Sequence, residues 1–202
     1  GAFATLHFGI RYAQHPKLNR ALTLTLAGCG TGSHPDVHEN FKKDSAALGE
    51  SLMRSGMAQA GATYCHGPTR LPFLRKNPRG HAELVRQFCE HSAEGAAFTQ
   101  LGVQLSRPNP LDAGTQMQAL TLPTLVLIGD EDEPCVDAAV FMKRQIPGAG
   151  LVVIPQTGHT VNLEEPALFN QAVQAFLDAV EHDAWATRGE VSTSLLPPDA
   201  RA

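Results

Sequence analysis

Two short stretches of this sequence carry side chains that together can move a proton. Gly129-Asp130-Glu131-Asp132-Glu133-Pro134 follows an apolar run at 124–128, and Pro155-Gln156-Thr157-Gly158-His159 follows a second apolar run at 150–154. In a parallel sheet, the loops after strand carboxyl ends are where ligands are met. A carboxylate set against an imidazole there fixes the ring's tautomer and stabilises the imidazolium that forms when the ring takes a proton. Such a pair exists to activate a nucleophile. The competing roles are a turn residue for Asp132, with Asp130, Glu131 and Glu133 beside it, and a loop histidine bonded to backbone for His159. Asp137 is a lesser acid, better suited to the first turn of a helix.

Other polar clusters are weaker. Gly28-Cys29-Gly30-Thr31-Gly32-Ser33 follows a strand, as a dinucleotide loop would. Ser33 stands at the third glycine position, His34-Pro35 interrupts the helix start, and no second parallel strand follows within about 30 residues. His34, His38 and Glu39 could suggest a metal site, but His38-Glu39-Asn40-Phe41-Lys42 departs from H-E-x-x-H and brings no further ligand. Ser33 reads as a solvated loop serine, and His66, His81 and His182 read as surface residues. The cysteines Cys29, Cys65, Cys89 and Cys135 are far apart, without C-x-x-C, and fit free thiols in a reducing, cytoplasmic compartment. No metal or organic cofactor is expected.

The elements that must position these residues follow from periodicity. Phe3, Leu6 and Ile10 recur at helical spacing until Pro16, and 21–27 alternates Leu and Thr as a strand up to Gly28. Residues 36–117 are rich in Ala, Leu, Met, Glu and Gln with Gly and Pro breaks; helices are predicted at 36–59, 80–91 and 93–105. Beyond Pro123 come a strand at 124–128, a helix at 136–145, a strand at 150–154 and a helix at 163–180, with Asn162 as N-cap and Glu165 completing a capping box. The period fades past Glu181, where Pro197-Pro198 lies among polar residues, so 182–202 is predicted to be a disordered tail. The chain has 202 residues and a formal charge of −4, with Lys and Arg scattered. No nucleic-acid partner is expected from that charge, and no apolar run is long enough to span a membrane. The partner left is a small-molecule substrate; oligomeric state is open.

Leu122-Pro123-Thr124-Leu125-Val126-Leu127-Ile128-Gly129-Asp130-Glu131-Asp132 resembles the acid-bearing strand of the α/β-hydrolase family, and Gly158-His159-Thr160-Val161-Asn162-Leu163-Glu164-Glu165-Pro166 resembles its histidine loop. Acid before histidine is also the family's chain order. The resemblance implies Asp132 as catalytic acid and His159 as catalytic base. Gly1-Ala2-Phe3-Ala4-Thr5-Leu6-His7 is similar to the helix that follows the nucleophile elbow. The implied fold is α/β: a partial parallel sheet, the last three core strands, with flanking helices and a mostly helical cap insertion. The implied division is core at 1–30, cap at 31–118, core at 119–181 and tail at 182–202. G-x-S-x-G is absent from the chain. The expectation is therefore a fragment, cut just after the elbow and inactive in isolation, of an enzyme that hydrolyses a small ester, lactone or related carbonyl substrate through Ser, His and Asp. Dehalogenase or haloperoxidase chemistry, and a non-catalytic small-molecule-binding protein on the same scaffold, are the alternatives. The strand at 21–27 would then present an open, apolar edge prone to association.

Overall fold

The computed structural model describes residues 1–18 and 20–189. Its centre is a three-stranded parallel sheet of β1 (Leu24–Ala27), β2 (Thr124–Gly129) and β3 (Ala149–Ile154), in the order β1-β2-β3. The register pairs Leu24 with Thr124 and Thr124 with Ala149, so all three strands start level. β2 is buried along its whole length, as a central strand covered on both faces must be, and this is why its sequence is an unbroken apolar run. On one face Val126 and Ile128 pack with Leu6 of helix α1 (Ala2–Tyr12) and with Ala139 and Met142 of helix α7 (Glu133–Gln145). On the other, Leu125 and Leu127 pack with Val161 and with Phe176 of helix α9 (Pro166–Glu181). Each such fully buried side chain contributes about 1.5–3 kcal/mol. α1 lies close against β1 because Gly9 has no Cβ, which would fall 2.5 Å from the Leu24 side chain.

Between β1 and β2 runs a helical insertion. It comprises α2 (Pro35–Tyr64), a 3-10 turn (Pro68–Arg70), α3 (Leu71–Lys76), α4 (Pro78–Cys89), α5 (Ala93–Phe98), a π turn (Thr99–Gln104), another 3-10 turn (Pro110–Ala113) and α6 (Gly114–Gln118). Leu52, Met57, Ala60 and Ala97 form its own small apolar cluster, separate from those of the sheet. The predicted helix at 36–59 continues to Tyr64 across a kink at Gly56, whose φ of 76° is open to glycine at little cost. The α/β class, the three parallel strands and the helical insertion agree with the sequence reading.

Four local expectations need correction. The strand begins at Leu24 rather than Ala21, and Leu22 is 83% exposed. Asn162 is not an N-cap: it lies inside a one-turn helix, α8 (Val161–Glu164), and α9 starts after Glu165 with Pro166 in its first turn. The predicted helix at 93–105 is a short α-helix that gives way to the π turn. The predicted disordered tail is ordered over 182–189. Trp185 packs edge-on against Phe176 with centroids 4.7 Å apart, and its Nε1–H donates to the Gly148 carbonyl at 2.8 Å. Arg188 donates to the carbonyls of Lys143 and Ile146. A glycine at 150 makes room for the indole, since a Cβ there would lie 2.6 Å from the ring. The rest of the predicted tail, 190–202, lies outside the described residues.

Candidate active site

Asp132 occupies the residue just before α7, without a side-chain hydrogen bond to the helix, and is fully buried; Oδ2 stands 2.8 Å from Nδ1 of His159. The two residues lie beyond the carboxyl ends of neighbouring strands, β2 and β3, and it is the level register of those strands that brings the loops together. The loops are stitched by backbone: Asp130 N–H donates to the Ile154 carbonyl at 3.0 Å, and Glu131 N–H to the Thr157 carbonyl at 2.9 Å. The Asp130 carboxylate accepts from Thr157 N–H at 3.1 Å, so this acid holds the histidine loop rather than the histidine. Gly129 permits the approach, because a Cβ there would meet the Thr157 carbonyl oxygen at 2.0 Å. Oδ1 of Asp132 is buried and has no hydrogen-bond partner among the described residues.

The histidine loop is clamped from below by Glu164. Its carboxylate accepts from Gly158 N–H at 2.7 Å, Thr160 N–H at 3.0 Å and the Thr160 hydroxyl at 2.9 Å, thereby gripping the peptides on either side of His159. From above, His159 N–H donates to the Thr69 carbonyl of the insertion at 2.9 Å. Gly158 leaves room for that contact; a Cβ would lie 2.5 Å from the same carbonyl. Gly28, in the left-handed region at φ 61°, sits against the imidazole, where a Cβ would be 3.2 Å from Cε1. With Nδ1 committed to Asp132, Nε2 is the ring nitrogen left for the cavity that His159 lines.

That cavity has a volume of about 720 Å³ and lies between the sheet ends and the insertion, with Phe3, Gly28, Tyr64, Arg70 and Arg107 among its walls. A second hollow of about 520 Å³ sits within the insertion between α2, α4 and α5; Leu48, Tyr64 and Gln100 line both. Beneath the site, burial first and then the Asp132 charge push the Cys135 thiol well above its ordinary range, and burial raises Cys29 to about 11. Asp132, Cys135 and His159 bring three potential metal-donor atoms within 4.8 Å of one another.

No family model matches the chain. The curated protein ABHD14A of Rattus norvegicus is 35% identical over 162 residues, covering 79% of this chain and 60% of that protein. A putative 2-succinyl-6-hydroxy-2,4-cyclohexadiene-1-carboxylate synthase of Bacillus subtilis is 27% identical over 66 residues, 33% of this chain and 24% of that one. Among solved structures, MenH from S. aureus superposes with a TM-score of 0.77 at 20% identity, over 90% of this chain and 66% of the other. An esterase from Thermogutta terrifontis gives 0.71 at 26% identity, over 89% and 62%. The chain has the α/β-hydrolase fold. It spans less than two thirds of the length of each of these relatives.

Within this α/β-hydrolase fold the remaining candidates fall elsewhere. Asp137 is exposed and faces His34, its Oδ2 lying 3.9 Å from Nε2, away from His159. Glu131 pairs with Arg75 of α3 at 2.8 Å. Ser33 is not solvated but 2% exposed, with an unpartnered hydroxyl, and His38 Nδ1 sits 2.8 Å from the Gly32 carbonyl. His81 is likewise buried, not a surface residue; its Nε2 lies 2.7 Å from the Cys65 carbonyl, inside the insertion. Sequence reasoning missed Glu164 and Lys76. Glu164 had a signal, an acid two residues before the helix-starting Pro166, but Glu165 beside it carries the same signal. Only the fold shows that Glu165 turns outward to Lys76 while Glu164 turns in. Among the described residues, no helix is long and apolar enough to cross a membrane.

Proposed function

We propose that this chain carries the acid and base of a hydrolase that cleaves a small ester, lactone or related carbonyl substrate by a Ser-His-Asp mechanism. The observation that carries the reading is the 2.8 Å contact between Asp132 Oδ2 and His159 Nδ1, with the far side of the ring given to a cavity of substrate size. His159 Nε2 takes the proton of a serine hydroxyl as its oxygen bonds to the carbonyl carbon, then delivers that proton to the departing alkoxide. Water repeats the cycle on the acyl-enzyme, and Asp132 orients the ring and stabilises its cationic form throughout. The helical insertion acts as the cap over the reacting carbonyl.

On this reading the serine is not among these 202 residues, in which G-x-S-x-G does not occur. Among the described residues no hydroxyl is hydrogen-bonded to His159, and the serines that line its cavity, Ser45 and Ser51, belong to α2 of the insertion. Removing the nucleophile from such a triad costs on the order of a millionfold in turnover, so the chain alone is expected to be inactive. The test is to express the whole open reading frame that contains the chain and to assay p-nitrophenyl butyrate hydrolysis and fluorophosphonate labelling. Hydrolysis with labelling of a serine is the expected result. Hydrolysis without labelling would move the reading to another nucleophile, and neither would leave the scaffold as a binding protein.

A further inference from the structure

Two arginines face the same cavity as His159, and among the described residues neither has an acid partner. Arg70 stacks on the Tyr64 ring, with Cζ 4.1 Å from its centroid, and donates to the Tyr64 hydroxyl at 2.8 Å. Arg107 is held between Phe3 and Phe41, at 5.0 and 4.8 Å, and donates to the Thr31 carbonyl. No carboxylate oxygen of those residues comes within ion-pairing distance of either guanidinium; what sets these two apart from the other arginines without an ion pair is that they line the cavity. Arg70 Nη1 also reaches Thr69 Oγ1 at 3.5 Å, so each of its terminal nitrogens spends one hydrogen on the protein; stacking occupies the guanidinium face and leaves the remaining in-plane N–H groups for an anion. Burial also lowers the affinity of Arg107 for its proton, which marks a cation stripped of part of its water and not compensated for it.

The position of Arg70 ties this charge to the reacting centre. It directly follows Thr69, whose carbonyl receives His159 N–H, so the backbone that carries the guanidinium is hydrogen-bonded to the backbone that carries the imidazole. Asp44 also lines the cavity, which sets two guanidinium groups and, in the 202-residue chain, the Gly1 α-ammonium against one carboxylate. The net positive charge of that wall suits an anion.

We propose that the substrate carries a carboxylate at some distance from its scissile carbonyl, and that Arg70, supported by Arg107, receives it. The inference rests on the hydrolase reading for the identity of the reacting group, but the anion site can be tested without turnover. Titration calorimetry on the 202-residue chain would compare monomethyl succinate, glutarate and adipate with their neutral dimethyl esters. At least one monoanion is expected to bind roughly tenfold or more tighter than its diester, with an affinity that falls as salt rises. Arg70→Gln should remove that preference, Arg70→Lys should restore part of it because a point charge lacks the fork, and Arg86→Gln on the exposed face of α4 should leave it intact. Because Arg107 is wedged between two rings, Arg107→Lys is the variant to use there, with its thermal transition checked alongside. Equal binding of anion and diester, binding of neither, or a preference that survives Arg70→Gln would overturn the proposal. If the product of the whole reading frame failed to hydrolyse esters while the monoanion still bound, the hydrolase reading would fall and the carboxylate site would stand. Hydrolysis of neutral esters without any anion preference would do the opposite, upholding the hydrolase and removing the carboxylate site.

Discussion

The sheet ends and the helical insertion meet at one cavity but are built by different means. Around Asp132 and His159 the chain is fixed by backbone hydrogen bonds, a buried carboxylate clamp and glycines that admit only hydrogen at Cα. The insertion relies on a small apolar cluster and on ion pairs exposed to water, with a kinked helix and a π turn among its elements. The two bodies touch at the site through few bonds: Thr69 to His159, Arg75 to Glu131, and Lys76 to both Glu165 and Thr157. Rigid geometry is thus confined to the loops that would move a proton. The walls that would select a substrate are carried mostly by the insertion, which reaches the proton-moving loops through Thr69 and Lys76.

That contrast can be broken first at the imidazole. On the proposed mechanism, His159→Gln in the active, full-length protein should cost about 10⁴- to 10⁶-fold in kcat, with little change in the thermal midpoint because the ring is partly exposed. A loss below about tenfold would place the base elsewhere.

Glycine substitutions compare the two bodies directly. Gly129→Ala drives a Cβ into the Thr157 carbonyl and should cost about 3 kcal/mol or more in urea unfolding. Gly102→Ala in the insertion meets nothing within 4 Å and should change stability by no more than about 0.5 kcal/mol. Similar effects at both positions would erase the distinction.

Glu164→Gln sharpens it further. The amide offers one acceptor in place of two and sets an N–H₂ against the peptide donors of the clamp, for an expected loss of about 1–3 kcal/mol. In the active protein this change should lower kcat more than it alters KM, since it displaces the ring rather than the cavity wall. An effect on KM alone would make Glu164 part of the binding surface.

The smallest expected effects lie in the struts and the thiols. Arg75→Ala removes an exposed pair with Glu131 and should cost less than about 1 kcal/mol. The raised thiols of Cys29 and Cys135 make the native state hold its protons longer than the unfolded chain does. Their contribution to stability is complete below the unfolded thiol range near about 8.5 and is lost as pH rises through the folded values, about 11 for Cys29. Iodoacetamide at a pH of about 8.5 should accordingly modify Cys89, which is partly exposed, well before Cys29 or Cys135. Early alkylation of Cys135 would mean that the sheet end opens more easily than the insertion.

Much of this architecture was legible in the residues. The unbroken apolar run at 124–128 reads as a strand covered on both faces, and an acidic cluster after it with a histidine after the next strand placed the pair at two strand ends; the family resemblance, not the spacing, picked Asp132 from among Asp130, Glu131, Asp132 and Glu133. Other residues carried no local signal that could tell their destination. Glu164 and Glu165 are chemically identical neighbours with opposite destinations, His81 reads like any helix-surface histidine, and Trp185 lies where the apolar period has already faded. Each is placed by a partner outside its own helical or strand period, so no window around it contains the information. Ser33 reads as a loop serine for the same reason: its burial comes from the helix and turn packed over the glycine loop.

Composition and periodicity by themselves determined the order of helices and strands along the chain and the residue types at the two strand ends, because hydrophobic burial writes its pattern locally, residue after residue, and the family resemblance added the class of the fold. Tertiary structure alone decided which carboxylate faces which nitrogen, what holds the histidine from above and below, and which arginines are left without a counterion among the described residues. Those outcomes depend on distances between segments that the chain separates by tens of residues, and hydrogen bonds and charge pairs are made across space.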